Sequence, residues 1–209
     1  MAFIIFAMNI SFGQKIPLYQ TQILDKETNK FEKATLYELD CKDDEDVDYV
    51  IKQHDAWEYK YNISVDMYEK NRRLKNYDNL PDSVKQNLQN NKFYVLENDK
   101  KEMLGLCEIT GFNHFFNIQY LESNNTQKSK YKYIGQSILA GISKHILSHN
   151  IFDPVLMIID PSYKSRGFYT EKCHFSDDKG SLIMDEQALK TFVSDVEQKI
   201  QSPVIDLKG

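Results

Sequence analysis

The residues best placed to do chemistry lie between Leu121 and Leu139. An apolar run ends at Leu121-Glu122-Ser123. A polar loop follows with Lys128, Lys130 and Lys132, and an amphipathic helix then opens at Tyr133-Ile134-Gly135-Gln136-Ser137. The start of a helix leaves backbone N–H groups without intrahelical acceptors and carries partial positive charge. A pyrophosphate is the natural guest of such a place, and the lysines would add cations beside it. Gly135 is one of only 8 glycines. A glycine in the first helical turn costs stability, so close approach of a ligand would account for it. A solvated lysine loop with a chance glycine is the competing reading of the same residues.

Thiol and metal chemistry find less support. Cys41, Cys107 and Cys173 are an odd number with no C-x-x-C pair, which suits reduced structural thiols in an intracellular protein. His145 and His149 fall at i, i+4 on one helix with no evident third ligand, so no metal is expected. His114 stands beside a phenylalanine pair, where packing is the simplest role.

The elements that position these residues follow from periodicity. Lys15 to Asp40 is a hairpin pattern, two β-friendly runs around Asp25-Lys26-Glu27-Thr28-Asn29. Val47, Val50, Ile51, His54 and Trp57 recur at helical spacing, Ser64 to Asn76 is a weaker helix, and a short one follows Leu80-Pro81-Asp82. Three strands come next, at KFYVLEN, EMLGLCEIT and HFFNIQYLE. Ile134, Ile138, Ile142 and Ile146 mark a strong helix. DPVLMIID is a buried strand, Ser162 to Cys173 a helix, SLIMDE a strand, and Gln187 to Ile200 a last helix. This mixed order predicts one α/β (α+β) domain over residues 1–209 with a central sheet flanked by helices. Residues 1–40 form an N-terminal strand and hairpin extension.

The chain has 209 residues, 41% apolar and 27% charged, which excludes a disordered or low-complexity chain. Its 26 basic against 31 acidic side chains argue against nucleic-acid binding through an overall field. The apolar start, Met1 to Gly13, is shorter than the ~20 residues of a membrane span and lacks the flanks of a secretory signal. No membrane partner is expected, and a cytoplasmic location is.

The Leu121–Leu139 segment resembles the acyl-coenzyme A signature of GNAT-type N-acetyltransferases. In that family a strand ends, a short loop follows, and [Q/R]-x-x-G-x-[G/A] opens a helix. Lys130 stands at the Gln/Arg position, Tyr133 at the first glycine and Gly135 at the second. Downstream, Phe168-Tyr169-Thr170-Glu171-Lys172-Cys173-His174-Phe175 is similar to the family's F-Y-x-K-x-G-F-like motif. It has one extra residue, and His174 replaces glycine. The resemblance covers roughly residues 93–186 on the family's order of strands and helices.

The resemblance implies a mostly antiparallel mixed sheet splayed at an acyl-CoA site. It implies acetyl-CoA as co-substrate, an amine acceptor, and direct attack in one ternary complex. It places the cofactor against Leu121, Glu122 and Ser123, against Lys130, Lys132, Tyr133, Ile134, Gly135, Gln136 and Ser137, and beside Tyr169. It implies Tyr169 as general acid if the extra residue follows it, and Thr170 at that position otherwise. Glu108 and Glu122 are the candidates for the base that takes the amine's proton, with His114 behind them. The acidic residues from Asp43 to Asp55 suit a cationic acceptor. The aliphatic runs before residue 40 suit an interface between two copies. Because Tyr133 and His174 replace glycines, a degenerate GNAT-like binding domain is the alternative.

Overall fold

The computed structural model describes residues 15–39, 45, 46, 48, 49, 91–124 and 130–201. The apolar run Met1–Gly13, Lys128, and the helices expected between Val47 and Asn90 (apart from Asp48 and Tyr49) lie outside the described residues.

The described chain forms strands β1 (Ile16–Asp25), β2 (Lys30–Leu39), β3 (Asn91–Asn98), β4 (Met103–Phe112), β5 (Phe115–Ser123) and β6 (Tyr131–Lys132). These are followed by helix α1 (Ile134–Ser148), β7 (Val155–Ile158) and the short helix α2 (Tyr163–Gly167). A π-helical turn (Phe168–Lys172), β8 (Ser176–Asp178), β9 (Ser181–Met184) and helix α3 (Glu186–Gln201) complete it. The strands make one sheet in the order β6-β1-β2-β3-β4-β5-β7-β9-β8. All neighbours run antiparallel except β5 and β7. The hairpin expected as an extension is interior to this sheet, with β2 paired to β3 and β1 to β6.

Helices α1 and α3 cover one face. Ile138, Leu139 and Ile142 of α1 and Leu189, Phe192 and Val196 of α3 bury against Ile23, Leu36, Leu96 and Ile109. The four-residue recurrence of isoleucine puts that apolar stripe on one side of α1. On the opposite face Leu39, Phe93, Val95, Met103 and Leu106 form a second cluster, with Tyr49 and Tyr120 packed against it. Glu97 is almost wholly buried on that side and is paired with Lys15 and the Tyr49 hydroxyl, as a buried charge must be.

Two strands differ from the sequence expectation. The lysine loop closes with β6, because Tyr131 buries its ring and pairs with Asp25 while Lys132 pairs with Leu24. The Tyr131 hydroxyl donates to Glu32 at 2.9 Å. The exposed tripeptide β8 has no alternation to reveal it and is held only by β9.

Candidate functional site

Strand β5 changes its number of partners halfway along. Phe115, Phe116 and Asn117 pair with β4 on one side and with Val155, Leu156 and Met157 of β7 on the other. Tyr120, Leu121, Glu122 and Ser123 pair only with β4, opposite Glu108, Cys107, Leu106 and Gly105. Ile118 opposes Ile109 and Tyr120 opposes Glu108, so Gln119 is an extra residue. Such a bulge bends and twists a strand. Among the described residues, the second half of β5 therefore has a backbone edge without a strand partner. An extended, amide-bearing ligand can add to such an edge as another strand would.

Helix α1 opens over the same end of β5. A Cβ built on Gly105 would lie 2.7 Å from Ile138 Cδ1, 3.0 Å from Ile134 Cγ2 and 2.9 Å from the Glu122 carbonyl oxygen. Only a residue without a side chain lets the helix seat this close to β4 and β5. The cap residue Tyr133 has φ 73° and ψ 7°, and its side chain caps nothing. The first intrahelical bond runs from Ser137 N–H to the Tyr133 carbonyl at 2.8 Å, so the amides of Ile134, Gly135 and Gln136 precede it.

Three residues of this helix start differ from their expected roles. The space beside Gly135 is taken by the chain itself. A Cβ there would stand 2.9 Å from Phe168 Cζ, so the glycine admits a ring rather than a ligand. Ser137 is fully buried, its N–H is used within the helix, and its hydroxyl faces Thr21 Oγ1 at 3.4 Å, so it supports the helix from behind. The Gln136 side chain donates to the Lys172 carbonyl at 2.9 Å and is not free for a cofactor. What this helix start offers is backbone, from residues 134 to 136.

Tyr169 sits in the π-helical turn. A π-turn accommodates one more residue than an α-turn, and the FYTEKCHF segment has one more residue than the family motif. Tyr169 is 7% exposed and faces the core, whereas Thr170 is on the surface, its hydroxyl donating to the Arg166 carbonyl at 3.1 Å. Phe168 and Phe175 meet the Tyr169 ring edge-on at 5.1 and 5.5 Å. Burial pushes its phenol well above the ordinary tyrosine range, and the neighbouring thiols of Cys107 and Cys173 add to this. Cys107 pairs with Leu121, so Tyr169 lies beneath the half of β5 that β7 does not flank. Burial likewise raises both thiols, which stay protonated and serve as core residues.

Glu108 is buried and lies on the other face of the sheet, in register with Phe93 and Tyr120. Glu122 shares that face two residues along β5, opposite Leu106. Tyr169 and the two carboxylates therefore flank the same stretch of β5 from opposite sides. His114 is remote, stacked on Phe115 at 3.9 Å at the far end of β5. His145 and His149 close the last turns of α1, rings 4.4 Å apart, with His145 Nε2 3.6 Å from Glu38 Oε2. No metal-binding group of three or more ligands occurs among the described residues.

The cations before α1 are partly engaged. Lys130 Nζ lies 3.8 Å from Asp25 Oδ2 and 4.9 Å from the centre of the Tyr131 ring, while Lys132 is exposed on β6. Asp25 accepts the Thr28 and Glu27 N–H groups at 3.0 and 2.8 Å, which hold its carboxyl below the usual range. No helix of the described residues is long and apolar enough to cross a membrane.

No protein-family model matches this sequence, and no curated protein matches it. Solved structures do. Mutant forms of the spermidine/spermine N-acetyltransferase SpeG from Vibrio cholerae superpose over 76% of this chain and 96% of theirs, with 12% identity and a TM-score of 0.52. A chimera of Vibrio cholerae SpeG and hSSAT covers 76% of this chain and 98% of its own, with 14% identity and a TM-score of 0.50. The PaiA N-acetyltransferase from Thermoplasma acidophilum, solved with coenzyme A, is a looser match, at 16% identity and a TM-score of 0.46 over 73% of this chain and 98% of its own.

Proposed function

Starting from the GNAT N-acetyltransferase fold of this chain, we propose that it transfers an acetyl group from acetyl-CoA to a primary amine of a small molecule or protein. The observation that carries the reading is the half-paired strand. Ile118–Ser123 presents a backbone edge on the side β7 leaves open, and α1 begins over the same place. The residues present suit an acyl-CoA: a strand edge that β7 does not flank for an amide-bearing arm, three helix-start amides for phosphate, and Lys132 with Lys130 beside them.

Acetyl-CoA supplies an acyl group already activated as a thioester. The edge from Leu121 to Ser123 would hold the arm, and the amides of Ile134, Gly135 and Gln136 the phosphates. An ordinary amine has a pKa near ~10.4 and must lose a proton before it can attack. Glu108 of β4 and Glu122 of β5 lie on one face of the sheet and are the candidates to take that proton, directly or through water. Tyr169 lies on the other face and keeps its hydroxyl protonated through neutral pH, because burial disfavours the phenolate. It is thus the chain's proton donor for a departing thiolate.

The two substitutions at glycine positions of the motif do not remove its backbone. Tyr133 has φ 73° and His174 has φ 63°, the left-handed conformation that glycine adopts without strain. This supports an active site over a degenerate one. Release of free thiol from acetyl-CoA, followed with a thiol reagent across a panel of polyamines, aminoglycosides and lysine peptides, tests the activity. Amine-dependent release is the expected result; none with any amine would remove it.

A further inference from the structure

Among the described residues, the π-turn that carries Tyr169 has an unusual backbone exit. The amides of Cys173 and Phe175 both donate to the Tyr169 carbonyl, at 3.1 and 3.2 Å. The chain then breaks out through the left-handed His174, so the carbonyl of Lys172 receives no following backbone N–H. A carbonyl at the end of a helical turn has no following N–H within the helix and takes its bond from elsewhere. Gln136 provides it from the first turn of α1, with Nε2 2.9 Å from the Lys172 oxygen. Gln136 is itself 9% exposed, so water competes little for its side-chain amide, although Lys172 lies at the surface. One turn away, the Phe168 ring closes on the bare face of Gly135.

We propose that Gln136 is a positioning residue for Tyr169, its side-chain N–H to the Lys172 carbonyl bolting the π-turn that carries the acid to the first turn of the cofactor helix. The role in catalysis rests on the acyltransferase reading above; the mechanical link does not. The last carbonyl of a helical turn has no intrahelical donor, and this one is committed to a side chain of the helix whose first amides face the cofactor. Cofactor helix and acid therefore share one register. Loss of the bond frees the π-turn to relax toward ordinary α-helical pairing, which rotates Tyr169 out of its pocket between Phe168 and Phe175. A misplacement on the order of 1 Å at a catalytic group costs up to about 100-fold in rate.

The test uses the full chain carrying 13C-labelled tyrosine, with the Tyr169 Cζ resonance assigned by its loss in Tyr169→Phe. Gln136→Met keeps the volume and removes the donor; Gln136→Lys restores a donor of similar reach. The expected result is a displaced Tyr169 resonance in Q136M that returns toward its original position in Q136K. In the same variants kcat should fall between about 10- and 100-fold in Q136M and recover in part in Q136K, with KM for acetyl-CoA within about twofold throughout. If Q136M does not fold, Gln136→Ala carries the same comparison. An unmoved Tyr169 resonance in a folded variant lacking the donor overturns the proposal. A resonance that moves in a chain with no transferase activity supports the link and overturns only the acyltransferase reading.

Discussion

The two halves of β5 differ in one respect and that respect sets what each can do. Residues 115–117 are paired on both sides and are closed, whereas among the described strands only β4 pairs with residues 118–123. In the closed half, Phe116 and Leu156 pack toward the helix-covered core, and a change there is a change in packing. Along the open half, which β7 does not flank, Tyr169 lies on one side of the sheet and Glu108 and Glu122 lie on the other. Substitutions there touch chemistry. On the proposed reading, stability and function divide along a single strand of nine residues.

Four predictions break or sharpen that separation. Leu156→Ala, on β7 opposite Phe116 of the closed half and at 0% exposure, should cost about 2–5 kcal/mol in stability, read by denaturant unfolding. Acetyl-CoA affinity of the folded variant should be unchanged. A loss of affinity that matched the loss of stability would join the two halves again.

Tyr169→Phe is the counterpart in the open half. It should lower kcat by about 100-fold, roughly 2.7 kcal/mol of transition-state stabilisation, and leave cofactor Kd and melting temperature nearly alone. Steady-state kinetics with calorimetry distinguishes this from a packing effect, and unchanged kcat would remove Tyr169 from its role. Gly135→Ala comes next. Its methyl would meet Phe168, so it should destabilise by about 1–3 kcal/mol and lower kcat through the displaced π-turn, with a smaller effect on cofactor affinity.

The smallest effect concerns Tyr133. Tyr133→Gly relieves a left-handed φ worth about 1–2 kcal/mol, against the loss of a half-buried ring, so stability should change by about 1 kcal/mol at most. Cofactor affinity should hold. Tyr133→Val, which resists that φ, should weaken both.

Stability should also depend on pH in a stated direction. Burial, followed by the nearby Glu197 carboxylate, pushes the Tyr19 hydroxyl up to about 12. Burial likewise raises Tyr169. The unfolded phenol ionises near ~10, so the stabilisation from holding Tyr19 neutral is complete below about pH 10. It is lost as pH climbs through 12. Melting temperature should fall over that window, and less steeply in Tyr19→Phe.

Much of this was legible in the sequence where side chains have a period. The alternation in Ile16–Leu39 gave both hairpin strands, and the isoleucines at 134, 138, 142 and 146 gave α1. The three strands before α1 fell where they were expected. What escaped has no period. Strand β6 is a dipeptide set by the burial of Tyr131, and β8 is three exposed polar residues. The π-turn was present in the sequence as one residue too many in FYTEKCHF, but composition does not say whether an insertion bulges a helix or lengthens a loop. Gly135 was visible as a scarce glycine at a helix start. Its partner, Phe168, is 33 positions away and could be found only in three dimensions.

The central claim is that the open half of β5 and the start of α1 hold an acyl-CoA. Thermal unfolding of the full chain against increasing acetyl-CoA tests it most directly, because a ligand bound only to the folded state must raise the melting temperature with concentration. The account predicts a rise equivalent to about 2.7 kcal/mol at a hundred times Kd, shared by free coenzyme A. A melting temperature unmoved at millimolar acetyl-CoA would contradict it.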